Sequence, residues 1–276
     1  LGVKGIFLAG TCGEGPVMTD DQCRRLVSAA ARANRGRLII AVQVTDNSAA
    51  RIVERMKTAR DDGADIAVIA QPYFQTSGRP ALAETYLESI RQSPLPVGLY
   101  DRGRHSNIVL PVPLLRKIYR EPKVLLVKDS SLDPERMQLA LAARARRPEL
   151  VLLSGYEWDC VRYLAAGYDG LLLGGGIFNG YLSGLILAAV RAGDLDRAAA
   201  LQRRMNRIMH AAYGGRKAAC WLTGEKQLLV ALGIFRTNRS HLRYPLTAAC
   251  RRAIDRLVER NRDVLLPYAV GKAAAG

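Results

Sequence analysis

Nothing in this chain approaches the run of about 18 apolar residues that a membrane-spanning helix needs, although apolar residues make up 49% of it. Cysteine is sparse and scattered: Cys12, Cys23, Cys160, Cys220 and Cys250 are odd in number and show no CxxC spacing. That excludes a zinc ribbon and a disulfide framework, and it fits a reducing compartment, so a cytoplasmic protein is expected. The three histidines, His105, His210 and His241, stand too far apart for metal-ligand spacing. No GxGxxG fingerprint opens a strand–helix unit, because Gly10-Thr11-Cys12-Gly13-Glu14-Gly15 has the wrong spacing. Neither a metal nor an organic cofactor is therefore expected. Acidic residues are few, 25 against 41 Lys and Arg, leaving a net charge of +16. Residues 191–263 carry +10 of it, from 16 basic and 6 acidic side chains. The arginines there follow amphipathic helical patterns and do not cluster with aromatics, which favours solvated helix faces over a nucleic-acid surface. Neither a nucleic-acid nor a membrane partner is expected.

Lysine is scarce too, with eight in 276 residues, and only Lys128 ends a continuous apolar run, Val124-Leu125-Leu126-Val127. Such a run is the pattern of a strand buried on both faces. Desolvation disfavours an ammonium and makes a lysine amine available to attack carbonyl carbon. The other reading is a lysine that reaches from a strand end to solvent or pairs with Asp129.

Taken in order, short apolar strands fall at Gly5–Gly10, Leu38–Val44, Ile66–Ala70, Pro96–Tyr100, Val124–Lys128, Leu150–Leu153 and Gly170–Leu173. Between them lie helical patterns: Asp20 to about Ala33, Ser48–Asp61, Ala81–Arg91, one from Pro113, Asp133–Ala145 and Trp158–Ala166. Thr19 with Gln22 forms a capping pair before the first. A repeat of about 25–30 residues with doubly buried strands predicts parallel strands and crossover helices, and a (β/α)8 TIM barrel fits best. Only seven strands are visible. The chain opens on Leu1-Gly2-Val3, which has the pattern of a helix tail, and its first residue is not Met. We expect the first strand and most of its helix to precede residue 1. Seven strands then predict a gap between Gly5–Gly10 and Gly170–Leu173, lined by exposed apolar side chains. Beyond Phe178 the pattern is helical only, over Tyr181–Arg191, Leu195–Tyr213, Ala218–Leu232 and Pro245–Val264, with a frayed Gly-Lys-Ala-Ala-Ala-Gly end. The expected domains are an N-terminally incomplete barrel, 1–192, and a C-terminal helical layer, 193–276.

Chemistry in such barrels sits at the C-terminal ends of the strands. Those ends give Thr11-Cys12, Tyr73-Phe74, Tyr100, Lys128, Gly155 and Gly174-Gly175-Gly176. An amine, a phenol and small polar loops are the parts that a Schiff-base enzyme needs. Gly10-Thr11-Cys12-Gly13-Glu14, Tyr100 and Val127-Lys128-Asp129-Ser130-Ser131 resemble the motifs of the dihydrodipicolinate synthase / N-acetylneuraminate lyase family of class I aldolases. The resemblance implies a carbon–carbon or carbon–oxygen lyase that forms an imine between Lys128 and a 2-oxo acid, usually pyruvate. It gives Tyr100 the role of proton shuttle and Thr11 that of orienting Tyr100. The amides of Thr11 and Cys12 would hold the substrate carboxylate, and Gly155 and Leu172 would line the pocket. It also implies a homo-oligomer, a tetramer built from tight dimers.

Three positions depart from the family pattern. Cys12 replaces the second hydroxyl residue of the first motif, exchanging a hydroxyl for a weak thiol. Phe74 stands where the synthases carry a tyrosine that relays protons into a neighbouring subunit. His105 takes the place of an arginine that binds the second substrate's carboxylate, within Asp101-Arg102-Gly103-Arg104-His105-Ser106. A lyase or dehydratase for a sugar-acid-like 2-oxo acid is therefore expected rather than a true dihydrodipicolinate synthase. Two other readings stay open: a phosphate-binding barrel using Gly155 and Gly174–Gly176, or a non-catalytic ligand-binding relative.

Overall fold

The computed structural model describes residues 1–74 and 79–267. Seven strands form one sheet in chain order, every neighbouring pair parallel. They are β1 (Gly5–Leu8), β2 (Ile39–Gln43), β3 (Ile66–Ile69), β4 (Val97–Asp101), β5 (Val124–Asp129), β6 (Val151–Ser154) and β7 (Gly170–Leu171). The crossovers carry α1 (Asp20–Asn34), α2 (Ala49–Asp61), α3 (Arg79–Gln92), α4 (Val112–Ile118), α5 (Pro134–Arg146) and α6 (Cys160–Ala165).

Side-chain alternation divides the sheet into two faces. Ile40, Val42, Ala67, Ile69, Leu99, Val127 and Leu152 pack on one face with the helix residues Ile52, Met56, Tyr86, Ile90 and Leu115. Val124 and Val127 are fully enclosed there; such a side chain contributes about 1.5–3 kcal/mol when removed from water. The other face carries Phe7, Ala41, Val68, Tyr100, Leu126, Leu153 and Leu172, which form a single cluster. That cluster draws at least one residue from each strand or its immediate continuation, first and last included, so the sheet is curled around it. The expected TIM-type architecture is present. Among the described residues β1 and β7 each pair with one neighbour only, and Ile6, Phe7, Leu8, Leu171, Leu172 and Leu173 on those edges are half-buried rather than exposed.

The helix starts follow their caps. Thr19 accepts from the Gln22 amide and the Gln22 side chain accepts from the Thr19 amide. Ser48 and Asp133 cap α2 and α5. Leu1-Gly2-Val3 is not helical; Gly2 has a positive φ of 73°. Gly10 lies in a turn and not in β1, because Ala9 already adopts a left-handed conformation at φ 54°.

The chain forms two compact units: residues 4–156 with 163–173, and residues 1–3 with 157–162 and 174–276. The second unit holds α7 (Gly176–Arg191), α8 (Leu195–Ala212), α9 (Trp221–Ala231), α10 (Ala248–Arg260) and α11 (Arg262–Leu265). α7 starts five residues ahead of the expected Tyr181. The glycines there are poor helix formers, but the Glu157 carboxylate accepts from the Gly175 amide at 2.7 Å and caps the helix. The last expected helix breaks at Asn261, whose side chain bonds the Leu257 carbonyl and accepts from Arg204. The Gly-Lys-Ala-Ala-Ala-Gly end lies outside the described residues.

Candidate active site

β4 and β5 lie side by side with Tyr100 level with Lys128. Lys128 is 6% exposed, and its Nζ lies 4.2 Å from the centre of the Tyr100 ring and 4.9 Å from that of Phe7. The two rings meet edge to face at 87° with centroids 6.2 Å apart, so the amine sits in an aromatic corner inside the curled sheet. No carboxylate lies within ion-pairing distance of it among the described residues. Asp129, one residue on, faces the other way, as strand alternation requires. Its carboxylate accepts from the Tyr168 hydroxyl at 2.7 Å and from the Ser131 amide at 2.8 Å. Burial outweighs these bonds and pushes the Asp129 carboxyl above its usual range. The pairing of Lys128 with Asp129 that the sequence left open is therefore absent.

Gly155 forms the floor beneath the lysine. A Cβ there would stand 2.6 Å from Lys128 Cε and 2.2 Å from Ser130 Oγ, so the glycine that follows β6 leaves room for both side chains, and any larger residue would have to displace them. Leu172 packs against the cluster that contains Tyr100. Of the sequence-derived residues, Lys128, Tyr100, Gly155 and Leu172 are thus brought together.

The others stand on loops at the C-terminal ends of the strands. Thr11 and Cys12 occupy the turn after β1, which closes through Glu14 N–H to Thr11 O at 3.2 Å and Gly15 N–H to Gly10 O at 3.3 Å. Gly15 is obligatory in that turn, since a Cβ would fall 1.9 Å from the Ala9 carbonyl oxygen. The Thr11 N–H makes no backbone hydrogen bond among the described residues. Nor does the Thr11 hydroxyl bond Tyr100 there. Phe74 is 67% exposed and its amide donates to Asn47 Oδ1 at 2.9 Å. His105 is exposed on a short 3-10 turn, Gly103–His105.

Behind the lysine lies a buried polar network that the sequence reading missed. Asp101, level with Asp129, accepts from Arg136 at 2.5 Å, Gln71 at 3.0 Å and the Gly103 amide at 2.9 Å. Arg136, on α5, also donates to the Leu110 carbonyl, so one guanidinium ties both ends of the loop after β4. Arg136 and Asp101 are 4% and 1% exposed. The available signal was periodicity: Arg136 falls on the buried stripe of α5 with Met137 and Ala140. Gln43 and Ser130 were also missed, and both carry a buried side-chain oxygen without a hydrogen-bond partner among the described residues. At Gly174–Gly176 the Glu157 carboxylate already takes the Gly175 amide and accepts from the Tyr213 hydroxyl at 3.1 Å. A fixed anion there opposes phosphate.

No group of three or more His, Cys, Asp or Glu that could hold a metal ion occurs among the described residues. No helix among them is long and apolar enough to cross a membrane.

The chain matches the Dihydrodipicolinate synthetase family over residues 1–259. It is 32% identical over 254 residues to a 4-hydroxy-tetrahydrodipicolinate synthase of Salinibacter ruber, covering 89% of this chain and 79% of that protein. To the enzyme of that name from Exiguobacterium sp. it is 27% identical over 208 residues, 74% of this chain and 69% of the relative. Among solved structures, the dihydrodipicolinate synthase of Bacteroides thetaiotaomicron superposes with a TM-score of 0.83 at 27% identity, covering 94% and 87% of the two chains. YagE of E. coli K12, solved in complex with pyruvate, superposes with a TM-score of 0.82 at 21% identity, covering 94% and 87%.

Proposed function

The chain belongs to the dihydrodipicolinate synthetase family, and from that membership we propose that it is a Schiff-base lyase acting on a 2-oxo acid, with Lys128 as its nucleophile. The observation that carries this reading is the enclosure of Lys128 against Tyr100 and Gly155, with no ion-pair partner among the described residues. The amine adds to the C2 carbonyl and water leaves, giving an imine whose protonated nitrogen draws electrons from C3. Either the C3–C4 bond then breaks, its electron pair forming the enamine while the C4 hydroxyl loses its proton, or C3 loses a proton and the C4 hydroxyl takes one up and leaves as water. After cleavage the enamine is protonated at C3, and in both branches water adds back at C2 to release the product and restore the Lys128 amine. Tyr100 moves the protons of these steps. The amides of Thr11 and Cys12 hold the substrate carboxylate, a role supported by the Thr11 N–H, which makes no backbone hydrogen bond among the described residues. No metal or organic cofactor takes part.

Dihydrodipicolinate synthesis itself is disfavoured by Phe74, which has no phenol to relay a proton, and by an exposed His105 in place of an arginine. The substrate is instead a sugar-acid-like 2-oxo acid, cleaved or dehydrated beyond C3. The working form is a homo-oligomer, as the family resemblance implies.

The test is borohydride reduction in the presence of pyruvate. A stable adduct mapped to Lys128 is expected. Its absence from folded protein, or its appearance on another lysine, would overturn the mechanism.

A further inference from the structure

The face of β2 that carries Ala41 also carries Gln43, two residues on. Ala41 packs in the cluster with Tyr100, so Gln43 projects into the same interior at the C-terminal end of its strand. It is 7% exposed. Its Nε2 donates to the Tyr73 hydroxyl at 2.8 Å, while Oε1 is buried without a hydrogen-bond partner among the described residues. Turning the amide over only exchanges the atom that meets the phenol, and one polar atom is left over either way. An orphaned buried polar atom costs about 1–3 kcal/mol, and folded proteins retain few of them without a use. The Tyr73 hydroxyl accounts for one end of the amide; the strand positions beside it on this face include the apolar Ala41, Val68 and Ala70, and nothing among the described residues uses the other end.

A second orphan belongs to the same interior. Ser130 Oγ has no partner among the described residues and, like Lys128 Cε, lies close above Gly155. Two unsatisfied hydrogen-bonding groups in the chamber of the nucleophilic lysine are what a hydroxylated chain would satisfy and an alkyl chain would not.

We propose that Gln43 is a specificity-determining residue. Its free amide atom hydrogen-bonds a hydroxyl on the part of the substrate beyond C3, and Tyr73 holds the amide in position. The substrate class is then a polyhydroxylated 2-oxo acid. This proposal rests on the imine reading above and narrows it.

The experiment uses the full chain and reads imine formation, so it does not depend on whether cleavage or dehydration follows. Borohydride trapping is titrated with 2-oxo-3-deoxyhexonate and with 2-oxohexanoate, which has the same carbon chain without the hydroxyls. Wild type should reach half-maximal adduct at a concentration about tenfold or more lower for the hydroxylated acid, as one hydrogen bond in an enclosed site allows. Gln43→Met, close in volume but without a hydrogen-bonding amide, should abolish that preference, and Gln43→Glu, which keeps an acceptor, should retain part of it. Should Gln43→Met fail to fold, Tyr73→Phe, which releases the amide, should reduce the preference by a smaller factor. A wild type without preference, or variants that keep it in full, would overturn the proposal and leave Gln43 satisfied by water. Pyruvate is the control. A pyruvate adduct without the preference rejects only the role of Gln43, whereas no pyruvate adduct rejects the Schiff-base reading and this proposal with it.

Discussion

Lys128 and Gly155 are best understood as one feature shared by two strands. The lysine side chain has its place because the residue that follows β6 offers no side chain beside it. Gly155→Ala should therefore act on chemistry more than on folding: the added methyl must displace Lys128 Cε or Ser130 Oγ, and a misplaced nucleophile loses about 10²-fold in rate. Comparing single-turnover rate with unfolding midpoint checks this, and an unchanged rate would show that the lysine has room to spare. Lys128→Arg should bring turnover to background with folding retained, since a guanidinium keeps the charge and cannot form the imine. Turnover by the folded variant would sink the mechanism. Tyr100→Phe should lower the rate by about 10²–10⁴, the range of general acid–base catalysis, with far less effect on half-saturation. If the rate holds, Tyr100 is only part of the barrel wall.

The elements around the site divide the work between the two faces of β4 and β5. Tyr100 and Lys128 look inward, while Asp101 and Asp129 look outward onto α5 and the segment before β7. Motif and alternation made the inward pair legible in the sequence. The outward pair was not, because an aspartate that follows a strand-end tyrosine or lysine looks like a loop residue until its partner on another element is known. Arg136 lies 35 residues from Asp101, and nothing local in the chain links them. Removing one member of a buried pair leaves an uncompensated charge, so Arg136→Met should cost about 3–5 kcal/mol. Denaturant melts measure that, and a loss below about 1 kcal/mol, the usual worth of an exposed pair, would mean that water reaches Asp101. Asp129 gives a pH signature. Burial raises its folded-state pKa above the unfolded value, so the folded protein holds this proton more tightly and Asp129 weakens the fold as pH rises through that window. Asp129→Asn should gain stability relative to wild type between acid and neutral pH, and a constant difference between the two proteins across that range would refute the assignment.

At the scale of the whole molecule, periodicity carried most of the fold: each of the seven expected strands is present, with ends within about two residues of those observed. What it missed was decided by contacts distant in sequence. The start of α7 is fixed by a carboxylate 18 residues upstream, and the break at Asn261 by Arg204, 57 residues away. The half-buried edges follow from the same cause. Phe7 and Leu172 belong to the edge strand β1 and to the continuation of β7, yet both pack into the interior cluster, so curling covers apolar surface that a flat sheet of seven strands would leave bare. It does not pair the outer backbone groups of those strands. Hydrogen exchange separates the two effects, because it reports backbone opening and not side-chain burial. Amides of β4 and β5, each paired on both sides, should exchange near the global unfolding limit. Those of β1 and the two-residue β7, paired on one side, should exchange faster by orders of magnitude. Equal protection of β1 and β4 would show that the β1 edge is covered in solution, and dilution across the range where an oligomer dissociates would then show whether a second copy covers it.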